Sequence, residues 1–400
     1  MTRDRNSPSV ILWSLGNELQ IRDNWTGYQG MNDWGVTMYR VMDPVVKRFD
    51  STRLTTVAQF PARAGAIGHR EKDYKDYTMP PELAQVTDVA SLNYQSAWYG
   101  DFKKHCPDMN IFQSEAETSN WLTAYYNMDR EHSIGMAYWG SIEYWGESNG
   151  WPKKGWNYSF FRHTLEPYPT AWLVKSAFCE SNPVVHIGVL NAEGSESVSW
   201  NDIQVGQTSL LSHWNFADGS KQRVYVFTNA PQVELLLNGK GLGAKPNNGQ
   251  GNLQHVITWD VDYQSGSLLA IARDAEGKEV ARHELQTAGK AVSLKIEEET
   301  NDWKADGMDL KYLNITAVDS KGRIVPGYEE PLSIDVTGPA TLFALDNGDH
   351  YTDELFTGIT TKKMRGGHMK VILRSRCESG KVTINATSGK FKSTYKTTVL

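Results

Sequence analysis

The sequence predicts an α/β segment at 1–181 followed by two all-β sandwiches, at 182–288 and 289–400. Three observations predict it. Ten of the 14 tryptophans precede residue 182. Short apolar runs in that half alternate with longer polar or amphipathic stretches, the pattern of strand–helix units that build a parallel sheet or barrel. Beyond Asn182-Pro183 no long helical periodicity remains, and short strand-like runs alternate with Asn/Asp/Gly turns.

In the first half the expected strands are Ser9–Leu15 (SVILWSL), Leu54–Gln59 (LTTVAQ), Asp88–Asn93 (DVASLN), Asn110–Ser114 (NIFQS) and Gly135–Trp139 (GMAYW). They are short, β-rich and mostly without polar alternation, as strands covered on both faces are. Between the first two, Trp34, Met38, Val41, Met42, Val45 and Phe49 recur at helical spacing and predict a helix over 32–49. In the second half the turn signals are Asn238-Gly239-Lys240, Asp274-Ala275-Glu276-Gly277, Asp319-Ser320-Lys321-Gly322 and Asp346-Asn347-Gly348. They separate runs such as VELLLN, SLLAIAR and YLNITAV, which fits two sandwiches of about 100 residues each. The joint between them falls near Ala288–Ala291.

The bulk properties exclude several classes. A net charge of −6 over 400 residues offers no basic field, so nucleic acid is not an expected partner. No apolar run approaches the ~18 residues of a membrane-spanning helix. The apolar run Val10–Trp13 in MTRDRNSPSVILWSLGNE is shorter than the ~7–15 residues of a secretory core, so no export signal is read there. Cys106, Cys179 and Cys377 are far apart, odd in number and without CxxC spacing, which gives neither a disulfide framework nor a zinc site. The ten histidines show no HxxxH or HExxH spacing. Asp346-Asn347-Gly348-Asp349 lacks the spacing of a calcium loop and reads as a β-turn. No metal and no cofactor is expected.

Two of the strands run into a glutamate, at Gly16-Asn17-Glu18 and at Gln113-Ser114-Glu115. In a parallel barrel the C-terminal strand ends share one mouth, so these carboxylates, 97 residues apart, would converge. Two convergent carboxylates supply the nucleophile and the general acid/base of glycosidic cleavage. Spacing alone fits equally well two solvated strand-end glutamates. Tryptophan density likewise fits a large core or stacking against the apolar face of a sugar ring.

The stretch RDRNSPSVILWSLGNE resembles the acid/base signature of glycoside hydrolase family 2, the family of β-galactosidases, β-glucuronidases and β-mannosidases. The resemblance implies that Glu18 is the acid/base and that Asn17 binds the sugar 2-hydroxyl. Ser7 stands where family members usually carry His. NIFQSEAETS resembles the nucleophile strand, which makes Glu115 the nucleophile, with Gln113 in place of the usual Gly and Glu117 a rival in register. DVASLNYQ resembles the sixth barrel strand, with Tyr94 bonded to the nucleophile or else a core tyrosine. GMAYWGSIEYWGE resembles the eighth strand and its loop, with Trp139 as sugar platform and Trp145 and Glu147 beyond it. Lys153 and Lys154 are either solvated or placed to meet an acidic sugar. HWNF…VYVFTNAPQVELLLNGKGLG and GPATLFALDNGD resemble the fourth and fifth domains of bacterial members.

The resemblance thus implies strands four to eight of a (β/α)8 TIM barrel and two immunoglobulin-like β-sandwich domains. It implies a retaining β-glycoside hydrolase, with a β-galactoside favoured as substrate and a β-glucuronide as the alternative. Strands one to three are expected upstream, and a missing N-terminal half or a homo-oligomer is expected to complete the barrel. The other class of reading is a non-catalytic fragment whose sandwiches mediate assembly or glycan contact. Bacterial members are often exported.

Overall fold

A computed structural model describes residues 1–18, 33–59, 80, 82–93, 99–116, 130–143, 151–152, 159–179, 181–190, 196–200, 203–207, 210–250, 253–299 and 302–400, with backbone alone at 33–34, 196–200 and 203–207. The chain forms two compact units. The first comprises Met1–Ser141, Ser195–Gln207 and Gln250–Asn252; the second comprises Ile142–Gly194, Thr208–Gly249 and Leu253–Leu400. Among the described residues no helix is long and apolar enough to cross a membrane.

The first unit is built on five strands: β1 (Leu12–Asn17), β2 (Leu54–Gln59), β3 (Val89–Asn93), β4 (Ile111–Ala116) and β5 (Ser133–Tyr138). They pair side by side in chain order, every pair parallel. Helices α1 (Asp33–Phe49), α2 (Glu82–Val86) and α3 (Tyr99–His105) occupy three of the crossovers. Sequential parallel strands with helical crossovers form a stretch of barrel wall.

Side-chain alternation divides the two faces of this sheet. On one face Leu92 and Ile111 pack with Ala84, Tyr99 and Phe102 of α2 and α3, all buried. On the other face Thr56 Oγ1 donates to Val89 O at 2.5 Å, and its oxygen lies 2.8 Å from the Ser91 hydroxyl. This polar inner layer leads up to the strand ends where the chemistry-bearing residues lie.

Two elements differ from their sequence reading. Strand β1 starts at Leu12 rather than Ser9, because the preceding carbonyls are claimed by a side chain. Arg53 donates to the carbonyls of Arg5 (2.7 Å), Ser7 (2.8 Å) and Val10 (2.5 Å), which keeps that segment in turns. Helix α1 forms where its periodicity predicts, but the expected apolar stripe faces outward. Met38, Val41, Val45 and Phe49 are 45–62% exposed, and the face packed on Val57 and Leu83 carries Val36 and Tyr39. The Tyr39 hydroxyl lies 2.8 Å from Thr55 Oγ1, so its polar tip is satisfied within the packed layer.

The second unit opens with α4 (Pro169–Phe178) and continues as β-structure. Its strands are β6 (Val185–Leu190), then β9 (Leu210–Leu211), β10 (Lys221–Thr228), β11 (Gln232–Leu237), β12 (Lys240–Pro246), β13 (Val256–Asp262), β14 (Ser267–Arg273) and β15 (Glu279–Gln286). The intervening β7 (Glu196–Trp200) and β8 (Ile203–Gln207) form an antiparallel hairpin that clusters with the first unit. Two antiparallel sheets, β13-β10-β6-β9 and β12-β11-β14-β15, enclose one core around Trp214. The β11–β12 turn carries positive φ at Asn238 (52°) and Gly239 (80°), the tight hairpin geometry that Asn-Gly favours.

The last strands are β16 (Ser293–Glu298), β17 (Leu310–Val318), β18 (Pro331–Thr337), β19 (Ala340–Asp346), β20 (Thr361–Lys363), β21 (His368–Ser375), β22 (Gly380–Ser388) and β23 (Phe391–Val399). They form sheets β16-β17-β21-β19 and β20-β18-β22-β23 about a second core. There Trp303 is fully buried, with its indole N–H on Asp309 O at 3.1 Å. Between the two sandwiches, Gly289 N donates to Asp319 Oδ2 at 2.8 Å. Arg323 also donates to that carboxylate and holds it well below the usual carboxylate range.

Candidate active site

Both glutamate-bearing strands are irregular just before the glutamate. On β1, Ser14 pairs with Thr56 and the next pair is Asn17 with Ala58, so three steps on β1 oppose two on β2. On β4, Phe112 pairs with Ser91 and Glu115 with Asn93, again three steps against two. The other edge of β4 agrees, with Gln113 paired to Met136 and Ala116 to Tyr138. One extra residue in a strand bends it and re-aims the side chains that follow. Accordingly the burial alternation along β4 breaks at Ser114 and Glu115, which are both half-buried.

Glu18 leaves β1 with a φ of 52°, in the left-handed region that non-glycine residues rarely adopt. Its backbone N–H is held by Ala58 O at 2.7 Å. Such a conformation costs about 1–2 kcal/mol and persists where surrounding bonds over-determine it. The side chain is held as well. Asn93 Nδ2 donates to Glu18 Oε1 at 2.9 Å and lies 3.4 Å from Asn17 Oδ1. The same amide accepts at Oδ1 from Ser114 Oγ at 2.7 Å. Asn93 is fully buried, and both ends of its amide are satisfied.

One side chain at the end of β3 therefore bonds the glutamate of β1, bonds the residue preceding the glutamate of β4, and pairs in register with Glu115 itself. Trp139 follows β5, half-buried, with its backbone N–H on Ala116 O at 2.9 Å. Asn17 is exposed, and Glu18 and Glu115 are half-buried, so both carboxyl side chains remain open in part to solvent.

Of the residues singled out by sequence, Tyr94, Trp145 and Glu147 lie outside the described residues, as do Glu117, Lys153 and Lys154. Asn93 was missed. Its signal is the one that marks the glutamates, a polar residue ending a barrel strand, while the family resemblance of DVASLNYQ points to the neighbouring Tyr94. A carboxyl group oriented by a buried amide, beside a second strand-end carboxyl, has the parts for general acid/base and nucleophilic chemistry. Among the described residues no group of three or more His, Cys, Asp or Glu is arranged to hold a metal ion.

Comparison with known proteins agrees with this architecture. Residues 1–137 match the family description "Glycosyl hydrolases family 2, TIM barrel domain". Residues 294–397 match "Glycoside hydrolase family 2 C-terminal domain 5", and 219–281 match a domain of unknown function. Beta-galactosidase BoGH2A of Bacteroides ovatus is 24% identical over 96% of this chain and 49% of its own length. A beta-glucuronidase of Formosa agariphila is 24% identical over 97% of this chain and 37% of its own length. The chain thus spans half or less of these relatives. The crystal structure of a glycosyl hydrolase family 2 member from Bacteroides cellulosilyticus superposes with a TM-score of 0.83 at 27% identity, over 100% of this chain and 50% of that one. With the barrel and C-terminal domains of one family matched in order and the fold shared along its whole length, the chain belongs to glycoside hydrolase family 2.

Proposed function

We propose that this chain carries the catalytic pair of a retaining β-glycosidase acting on β-galactosides, with Glu18 as acid/base and Glu115 as nucleophile. The observation that carries the reading is Asn93, which bonds Glu18 and pairs in register with Glu115. Glu18, protonated, gives its proton to the glycosidic oxygen while Glu115 attacks the anomeric carbon and forms a glycosyl-enzyme ester. Glu18, now ionised, takes a proton from water, which attacks the same carbon and frees the sugar with retained configuration. Retention requires the two carboxyls to stand about 5–5.5 Å apart. Asn17 binds the sugar 2-hydroxyl and Trp139 forms the stacking floor. Tyr94 bonds the nucleophile in this reading, and Trp145 and Glu147 complete the substrate contacts.

The β-galactoside assignment draws on the relative named a beta-galactosidase, while other relatives are named beta-glucuronidases. Hydrolysis of aryl β-galactoside, β-glucuronide and β-mannoside by the protein, beside Glu18→Gln and Glu115→Gln, tests both points. The reading requires galactoside to be preferred and each substitution to abolish turnover. Preference for glucuronide makes the protein a β-glucuronidase with the same pair. Activity that survives both substitutions removes the pair. The two sandwiches are read as immunoglobulin-like modules, supported by their paired antiparallel sheets of about 100 residues each.

A further inference from the structure

Within the second unit, Glu143 and residues 159–168 are tied to the C-terminal sandwich by partly and fully buried charged groups. His163 sits between two carboxylates. Its Nδ1 lies 3.2 Å from Glu143 Oε2 and its Nε2 lies 3.1 Å from Asp346 Oδ1 at the end of β19. The three side chains are 12%, 0% and 15% exposed. Both ring nitrogens face carboxylate oxygens, which only the doubly protonated ring can satisfy. We propose that His163, held between Glu143 and Asp346, is the clamp by which the C-terminal sandwich holds Glu143 and the segment 159–168, and that loss of its proton releases that segment.

The surroundings fit a clamp. From the segment itself, Tyr168 donates its hydroxyl to Glu143, and Arg162 adds positive charge nearby. From the sandwich, His350 Nδ1 lies 3.8 Å from Glu143 Oε1, and Arg365 pairs with Asp349 at 3.0 Å. A second tie lies alongside. Lys370 of β21 donates to Thr164 O at 2.7 Å and pairs with Glu166 at 3.0 Å and Glu299 at 2.9 Å, with His368 beside Glu166. Lys370 keeps its proton far above neutrality, so the pH-dependent member is His163. Burial opposes the charge on His163, but the bonds to Asp346 and Glu143 outweigh it and hold its pKa up to about 9. Glu143 is buried, yet the bonds from His163 and Tyr168 keep it ionised below its ordinary value. The clamp is therefore complete below about pH 6.5, the free-imidazole value, and is lost as pH rises through about 9.

Hydrogen exchange of the intact chain reads this directly and needs no enzyme activity. The reporters are the amides bonded to carbonyls of the segment, Glu143 to Phe161 O, Arg162 to Glu166 O and Tyr168 to Phe160 O. Their protection factors are compared with those of the β22–β23 hairpin. In the wild type, protection of 159–168 is expected to fall at least tenfold between pH 6 and pH 10 while β22–β23 stays constant. Asp346→Asn and His163→Gln are expected to lower protection of the segment at pH 6 and to flatten its pH dependence. Constant wild-type protection across that range overturns the clamp. So does an Asp346→Asn protein whose segment is protected as in the wild type. Where His163→Gln fails to fold, the wild-type pH series and Asp346→Asn decide.

Discussion

Asn93 donates from Nδ2 to Glu18 Oε1 at 2.9 Å, joining a fully buried amide at the end of β3 to a glutamate that leaves β1 in a left-handed conformation. A donor fixed on one carboxyl oxygen orients the other toward substrate and resists rotation of the group during the proton transfers. Asn93→Ala should therefore lower kcat about 100-fold with little change in KM, the scale on which one preorganised donor acts. Steady-state kinetics on an aryl β-glycoside checks it. An unchanged kcat removes Asn93 from the catalytic arrangement.

The proposed mechanism divides two protonation states between Glu18 and Glu115. In it Glu18 begins as the acid while Glu115 is ionised, which predicts a bell-shaped dependence of kcat/KM on pH. A profile that is flat between about pH 4 and pH 8 is incompatible with this division of roles.

The junction between α4 and the first sandwich should be acid-sensitive. Trp172, His186 and His283 form a stack, with ring centroids 4.7 Å apart for the first pair and 3.9 Å for the second. Burial and the neighbouring His283 push His186 down to about 2, and burial lowers His283 as well. Both folded-state values lie below the free-imidazole value. The stabilising contribution is thus present above about pH 6.5 and is lost progressively as pH falls. His186→Phe keeps the stack on Trp172 and cannot acquire charge. It should narrow the Tm difference between pH 7 and pH 5 by roughly 2 °C or more. His283 is kept in this variant because its Nδ1 accepts from Ile187 N at 3.1 Å. A Tm difference equal to that of the wild type would show that the stack does not govern acid stability.

The last sandwich depends on one large side chain. Trp303 touches both sheets' shared core and bonds through its indole to Asp309 O. Trp303→Ala should cost about 3–5 kcal/mol, read as a lower midpoint in denaturant unfolding of the C-terminal sandwich.

Much of this was legible in the sequence, for identifiable physical reasons. Four of the five parallel strands begin within two residues of their expected starts, because apolar β-branched runs bounded by polar segments have few other uses. Strand β1 was displaced because nothing in SVILWSL reveals that Arg53 claims the carbonyls before Leu12. The periodicity of α1 gave its extent but not its facing, since Val36 and Tyr39 make a narrower stripe than the Met38-Val41-Val45-Phe49 row. At the site, motif resemblance singles out Glu18 and Glu115 as the proposed pair, whereas the strand irregularities just before them depend on register between strands and leave no local signal. Asn93 is a relational residue in the same sense, as its importance comes from what β1 and β4 bring to it. The His163 clamp joins residues 183 positions apart, and no spacing rule connects them.

Covalent trapping tests the catalytic pair most directly. A 2-deoxy-2-fluoro β-galactosyl donor with an activated leaving group slows breakdown of the glycosyl-enzyme more than its formation, so the intermediate accumulates. Peptide mass spectrometry of the trapped protein should place one fluorogalactosyl group on Glu115, and loss of label on dilution should track return of activity. An adduct on Glu117, Glu18 or any other residue would contradict the assignment, as would absence of an adduct under conditions where aryl β-galactoside is hydrolysed.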